Sequence, residues 1–200
     1  MTPESTFQAL FWVLFGAVLL MRFFFMFRLR RAGQTIMPDQ QAVEREGRGL
    51  FAFRLASWFL MIGILVSYAL NLAWLTSLHI AFGDGLRWLG FALGLVSIAF
   101  WTWTQAALGK QWSPQLRLRE GHYLITTGPY AHLRHPMYAG MSGFGIGLAL
   151  VSANWVFVAL TILIWVGLVV RVPQEERMMI DEFGETYRAY MRRAGKFLPR

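Results

Sequence analysis

The sequence has no cysteine in its 200 residues. Disulfides, thiolate nucleophiles and cysteine-liganded zinc are therefore excluded. Histidine is scarce as well, with four residues and no HExxH spacing, so no metal is expected. Acidic side chains number 11 against 19 basic ones. No internal repeat or low-complexity tract is visible.

What fills the chain instead is apolar: 56% of residues are hydrophobic and 16% aromatic. The runs 6–27, 55–78, 86–108, 138–151 and 155–170 are each candidates to cross a hydrocarbon core about 30 Å thick. The fourth is short, and Asn154 separates it from the fifth, so the two read as a tight helical hairpin that need not span fully. The first run is too long and too aromatic for a cleaved signal peptide, and no small-residue cleavage site follows it. The expected fold is all-α, a polytopic membrane helix bundle of about five transmembrane helices. Residues 1–108 would supply about three spans. Residues 109–200 would supply a polar loop, the hairpin and a C-terminal helix.

A net charge of +8 in a soluble protein would suggest nucleic acid. The distribution argues otherwise. Six basic residues lie in 28–54, four in 110–134 and seven in 171–200, leaving Arg87 on the opposite side and Arg22 inside the first run. Loops that alternate in charge place the N-terminus outside and the C-terminus in the cytoplasm. The basic surface then marks topology and contact with anionic lipid headgroups, and no nucleic-acid partner is expected. The 17-to-2 excess of Arg over Lys is associated with GC-rich bacterial coding, which points to a bacterial inner membrane.

Several side chains carry local expectations. Arg22 stands six residues before Arg28, about 9 Å along a helix, close enough to snorkel to the interface. Trp101 and Trp103 read as interface anchors. Gly140, Gly143, Gly145 and Gly147 would let another helix backbone or a flat ligand approach closely. Asn71 would cap a bend or bond across helices. In 174–193, Glu175, Met178, Met179 and Glu182 follow helical spacing, and Tyr187 and Tyr190 stand three apart. This segment reads as a cytoplasmic extension of the fifth run, with Pro173 kinking it or sitting in its first turn.

The densest chemistry lies in 128–140, where two prolines, two tyrosines, two histidines and an arginine share 13 residues between long apolar segments. Such polar density at a membrane boundary costs free energy unless it binds something. Its markers are Gly128-Pro129-Tyr130 and Arg134-His135-Pro136-Met137-Tyr138-Ala139-Gly140. Trp112-Ser113 and His122-Tyr123-Leu124-Ile125-Thr126 precede them, and Glu175-Glu176, Phe183-Gly184, Tyr187, Tyr190 and Lys196-Phe197-Leu198-Pro199 follow. In this order and on a multispan chain, the blocks from about Gly109 to Pro199 resemble the isoprenylcysteine carboxyl methyltransferases and the related phospholipid methyltransferases.

The resemblance implies S-adenosylmethionine as cofactor. It implies contacts to that cofactor from Gln115, His122, Tyr123, Leu124, Ile125, Tyr130, His135, Pro136, Met137, Tyr138 and Glu175, and a substrate-side role for Arg171. The residue types suit the ligand. Glu175 would accept from its amino group or ribose hydroxyls, and His122 and His135 would bond its carboxylate. The backbone at Leu124 and Ile125 would read the adenine edge, and Tyr130 and Tyr138 would pack on flat faces. Catalytic roles fall to Arg171, which would orient a carboxylate acceptor through a bidentate bond, and to Glu176, the nearest base for an amine acceptor. The implied partners are membrane lipids and a hydrophobic or lipidic acceptor. The competing reading is a membrane reductase of the sterol and steroid type, dependent on NADPH. Those enzymes carry a related Arg-His-Pro-x-Tyr block, but with Asn before the tyrosine and Glu soon after it, where this chain has Met137 and Ala139-Gly140.

Overall fold

A computed structural model describes residues 2–33, 47–112 and 123–199. Six α-helices account for most of them: α1 Glu4–Arg31, α2 Arg48–Ala69, the single turn α3 Ala73–Thr76, α4 Asp84–Leu108, α5 Pro136–Ser152 and α6 Trp155–Arg193. No strand occurs among the described residues, only two isolated bridges. α1, α2, α4 and α6 are each long and apolar enough to cross a membrane. The 17 residues of α5 reach about 26 Å, slightly short of a bilayer core. The architecture is the expected polytopic helical bundle, with the short fourth apolar run paired to the fifth.

The helices bury narrow stripes and leave their other faces apolar. In α1 the buried residues are Phe7, Phe11, Leu14, Val18, Met21, Phe25 and Leu29, a repeat of three and four that forms one seam. Leu20 and Phe23 on its other faces are 73% and 67% exposed, as suits lipid rather than water. α4 turns a stripe of small residues to α5. A Cβ built on Gly147 would lie 2.8 Å from Gly90 O and Gly94 N, and one on Gly140 would lie 3.1 Å from Trp101 Cβ. The glycines of α5 thus serve close helix packing.

Three local expectations change. The run 55–78 is not one span: α2 ends at Ala69, and Asn71, with φ of 50°, turns the chain into α3. Asparagine tolerates this left-handed conformation better than most residues. It also bonds across helices, because Gln8 Nε2 donates to Asn71 Oδ1 at 3.0 Å and to Tyr68 O at 3.2 Å. Trp101 is not an interface anchor but a core residue, 6% exposed and packed on Phe144, whereas Trp103 is 55% exposed. Arg22 does not snorkel. It turns into the bundle toward Gln105, Trp101 and Trp112, because the α4 stripe offers polar and aromatic partners at that depth.

One end of the bundle is stitched by polar side chains. Arg87 is buried, ion-paired with Glu4, and donates to Val151 O through Nε at 3.0 Å and Nη2 at 2.9 Å. Asn154 caps α6 by accepting from Val156 N at 2.9 Å and donates to Leu75 O at 2.7 Å. The α5–α6 turn is thereby tied to α3, and Ile80 N donating to Ala153 O and Trp155 N to Leu78 O tie it to the loop that follows. The starts of α1 and α4 lie at this end, and the start of α5 lies at the other.

At that other end α6 continues past its apolar stretch. Pro173 sits inside the helix, and Gly184, with φ of 52°, interrupts it. Tyr187 and Tyr190, on this arm, are buried together with Ala194.

Candidate functional site

The site is assembled where the start of α5 meets the arm of α6. Gly128, with φ of 60°, opens a turn of 3-10 helix over Gly128–Ala131. The chain then runs beside the C-terminal tail. Arg134 N donates to Gly195 O at 2.8 Å, His135 N to Lys196 O at 3.1 Å, and Gly195 N to His132 O at 3.0 Å. The Tyr190 hydroxyl lies 2.7 Å from Tyr130 O and 2.9 Å from Leu133 O. Arg134 closes the clasp by donating through Nη1 to Met191 O at 2.9 Å and Ala194 O at 2.8 Å. A cation here satisfies carbonyls that the end of a helix leaves without partners.

This clasp delivers two neighbouring side chains to two neighbouring acids. Glu176 Oε1 accepts from Arg134 Nε at 2.9 Å and lies 3.3 Å from His135 Nε2. Glu175 Oε2 lies 3.5 Å from His135 Nδ1. Glu175 Oε1 also accepts from Arg171 Nε at 2.8 Å and from the Tyr138 hydroxyl at 2.5 Å. The His135 and Tyr138 rings stack with centroids 5.5 Å apart. Burial disfavours a charged His135, but the bonds to Glu175 and Glu176 outweigh it and raise its pKa above the ordinary imidazole value. Burial also works against a charged Glu176. The His135 and Arg134 contacts more than offset this and leave its pKa below the usual carboxylate value. The cluster is therefore a polar network in which an imidazole of raised pKa lies between two carboxylates.

His135, Tyr138, Arg171, Glu175 and Glu176 meet here. Pro136 is fully buried at the first position of α5, where a missing N–H costs nothing. Met137 packs on the main core. Tyr130 is buried and held through its carbonyl. Leu124 packs against the Tyr187–Tyr190 cluster, Ile125 is half-buried, and Tyr123 is 61% exposed and joins none of these contacts. Gln115 and His122 lie outside the described residues. Sequence reasoning assigned no role to Arg134 or Tyr190, which build the clasp. Their signal was present in the motif blocks, but their partners are mostly backbone carbonyls, which no sequence pattern reveals. It also missed Gln174, whose Oε1 is buried without a hydrogen-bond partner. Among the described residues no group of three or more His, Asp or Glu side chains is gathered to hold a metal.

Fold and site together define an integral membrane helical bundle with a polar, ion-paired site at the foot of a helical hairpin. Residues 88–181 match the model of the isoprenylcysteine carboxyl methyltransferase (ICMT) family, and over that stretch the chain is similar to that family. It is similar to the protein-S-isoprenylcysteine O-methyltransferase of Schizosaccharomyces pombe, 30% identical over 79 residues, which cover 39% of this chain and 34% of that one. It is similar to O-methyltransferase B of Arabidopsis thaliana, 30% identical over 86 residues (42% and 44% of the two chains). It is also similar to the Homo sapiens enzyme, 35% identical over 79 residues (39% and 28%). The chain thus spans less than half the length of these relatives. The solved structure of a eukaryotic intramembrane Ras methyltransferase, ICMT, superposes with a TM-score of 0.54 at 23% identity, over 76% of this chain and 53% of that one. This likeness concerns the fold.

Proposed function

We propose that the chain is a membrane methyltransferase that uses S-adenosylmethionine to methylate a carboxylate on a lipidic acceptor. The observation that carries this reading is Glu175. It stands just beyond the apolar part of α6 and takes bonds from Tyr138, Arg171 and His135 while its side chain stays 21% exposed. The residues fit the cofactor: Glu175 keeps an open edge, and the neighbouring Gln174 Oε1 is a buried acceptor without a donor. An ammonium or hydroxyl group would satisfy the open edge of Glu175. Glu175, His135 and Tyr138 would hold the cofactor, with Tyr130, Pro136, Met137 and the 123–125 segment around it. When bound, the cofactor supplies an electrophilic methyl group.

The chain's own residues then bind, orient and exclude water. Proximity of two bound reactants carries much of such a transfer. Arg171, which already bonds Glu175 through Nε, would orient the acceptor carboxylate. A carboxylate is already unprotonated at neutral pH and needs no base. An amine acceptor would need one. Glu176 is tied to Arg134 and His135 with a depressed pKa, so it is better suited to positioning His135 than to taking a proton. This favours O-methylation over N-methylation.

The site end would face the cytoplasm, since the basic loops lie at that end, and a bacterial inner membrane suits the arginine-rich composition. The relatives' names point to an isoprenylated cysteine carboxyl as the model acceptor. Purified protein given methyl-labelled S-adenosylmethionine and farnesylated N-acetylcysteine should form a base-labile methyl ester. Label appearing only on phosphatidylethanolamine would shift the reading to N-methylation. Binding of NADPH without S-adenosylmethionine would replace it with the reductase.

A further inference from the structure

Arg22 presents a second cluster of polar groups, against Trp101 and Trp112. Its Nη1 approaches Gln105 Oε1 at 3.4 Å, a long contact. Its Cζ lies 4.7 Å from the Trp112 ring centroid and 5.7 Å from that of Trp101. Gln105, Trp112 and Trp101 are 1%, 4% and 6% exposed. Gln105 Nε2 and Trp101 Nε1 are buried donors with no hydrogen-bond partner. The reverse orientation of the Gln105 amide would set its NH2 against the guanidinium, so it offers no remedy.

The group is therefore rich in donors and nearly empty of acceptors. A guanidinium carries five N–H donors, an amide two and an indole one, and the side-chain acceptor bonded to Arg22 among the described residues is one amide oxygen. Arg22 has no carboxylate partner among the described residues. Ring faces offset part of its charge but accept no in-plane hydrogen bond. Buried donors are rarely left unpaired, and an intramembrane cation ordinarily has a function.

We infer that Arg22, Gln105 and Trp101 form a binding site for one anionic oxygen group, the phosphate or carboxylate head of an amphiphile. An amphiphile fits better than a free ion because the surface beside the cluster is apolar: Leu19, three residues before Arg22 and on the same helical face, is 38% exposed, and Phe23 is 67% exposed. An alkyl chain would lie along α1 there, while the head takes donors from Arg22, Gln105 Nε2 and Trp101 Nε1. The inference is independent of the methyltransferase reading and needs no activity measurement.

The test uses the full chain in a neutral detergent, titrated with phosphatidylglycerol, tetradecanoate or uncharged diacylglycerol. Binding is read by native mass spectrometry and by the unfolding midpoint, which rises for any ligand that prefers the folded state. At least one anionic amphiphile should bind in a one-to-one complex, and diacylglycerol should not. The phospholipid arm and the fatty-acid arm distinguish a structural lipid from a lipidic acid. Arg22→Gln should weaken binding about tenfold or more, the effect of losing a charge-assisted contact. Gln105→Glu gives a second readout if Arg22→Gln fails to fold. It supplies the missing acceptor internally, so it should raise the midpoint of the unliganded protein and abolish the response to anions. Unchanged anion binding in both variants, equal binding of diacylglycerol, or no response to either anion would overturn the inference.

Discussion

Glu175 takes contacts from three segments at once: His135 from the clasp, Tyr138 from α5 and Arg171 from one turn earlier on α6. Glu175→Gln keeps the shape but removes the charge that holds all three. On the proposed function, S-adenosylmethionine affinity should fall roughly five- to 150-fold, the cost of about 1–3 kcal/mol for losing charged contacts in a buried network. Calorimetry on purified protein measures this, and unchanged affinity would place the cofactor elsewhere. His135 makes a prediction about stability. Its folded pKa is raised, so its contribution is fully present below the ordinary imidazole value of about 6.5 and is lost as pH rises through the folded value. The depressed carboxylate of Glu176 acts in the opposite range: its contribution is present above the ordinary value of about 4.3 and is lost as pH falls through the folded value. The unfolding midpoint should therefore decline as pH is raised above about 6.5, and His135→Gln should flatten that decline. A wild-type midpoint that rises over this range would contradict the ion-paired arrangement.

The α4–α5 contact rests on glycine meeting backbone. At Gly147 an added methyl would press on Gly90 O and Gly94 N, both immovable without separating the helices. At Gly143 it would meet the Ser97 side chain, which can rotate away. Gly147→Ala should therefore destabilise by about 1–3 kcal/mol, as overpacking does, and Gly143→Ala by distinctly less. Thermal unfolding in detergent orders the two, and equal effects would mean that α5 shifts as a body. The arm of α6 shows a different dependence on glycine. With φ of 52° and ψ of −126°, Gly184 occupies a conformation closed to L side chains, and nothing crowds a Cβ there. The glycine is therefore required by backbone geometry, not space, to set the direction in which Tyr187 and Tyr190 approach the clasp.

The bundle as a whole is fastened at both ends by arginine. Arg134 ties α5 to the tail. Arg87 joins the starts of α1 and α4 to the end of α5, with its guanidinium 3.9 Å from the Phe7 ring centroid. Glu4 is 59% exposed at the side chain, so much of that ion pair is screened. The two bonds to the buried Val151 carbonyl are not. Arg87→Met should cost about 2–3 kcal/mol, and Glu4→Gln below about 1 kcal/mol. Equal losses in unfolding experiments would show that the ion pair, not the carbonyl capping, matters. Orientation in the membrane is a separate question. Reporter fusions after residue 199 and in the α3–α4 loop should report opposite sides, the cytoplasmic signal coming from the C-terminus.

Fold class, most helix positions and the segments that form the ion-paired cluster were legible locally. Apolar run length, the shortness of the 138–151 run, the Asn154 turn and the helical spacing of Glu175 through Tyr190 are properties of neighbouring residues, and neighbouring residues set helix formation in an apolar medium. Partnerships were not legible. Trp101 and Trp103 share a sequence context, yet one is core and the other exposed, because only the packing of α1 and α5 decides which side of α4 is interior. Arg22 had as much reach to the interface as to Gln105, and the inward choice depends on a stripe more than 80 positions away. The two acids at 175 and 176 are about 100° apart on a helix, and spacing alone would send them to different surroundings. They converge on His135 because the returning tail holds Arg134 and His135 at the arm of α6. That contact joins residues about 40 apart in the chain, and it exists only once the hairpin and tail have closed.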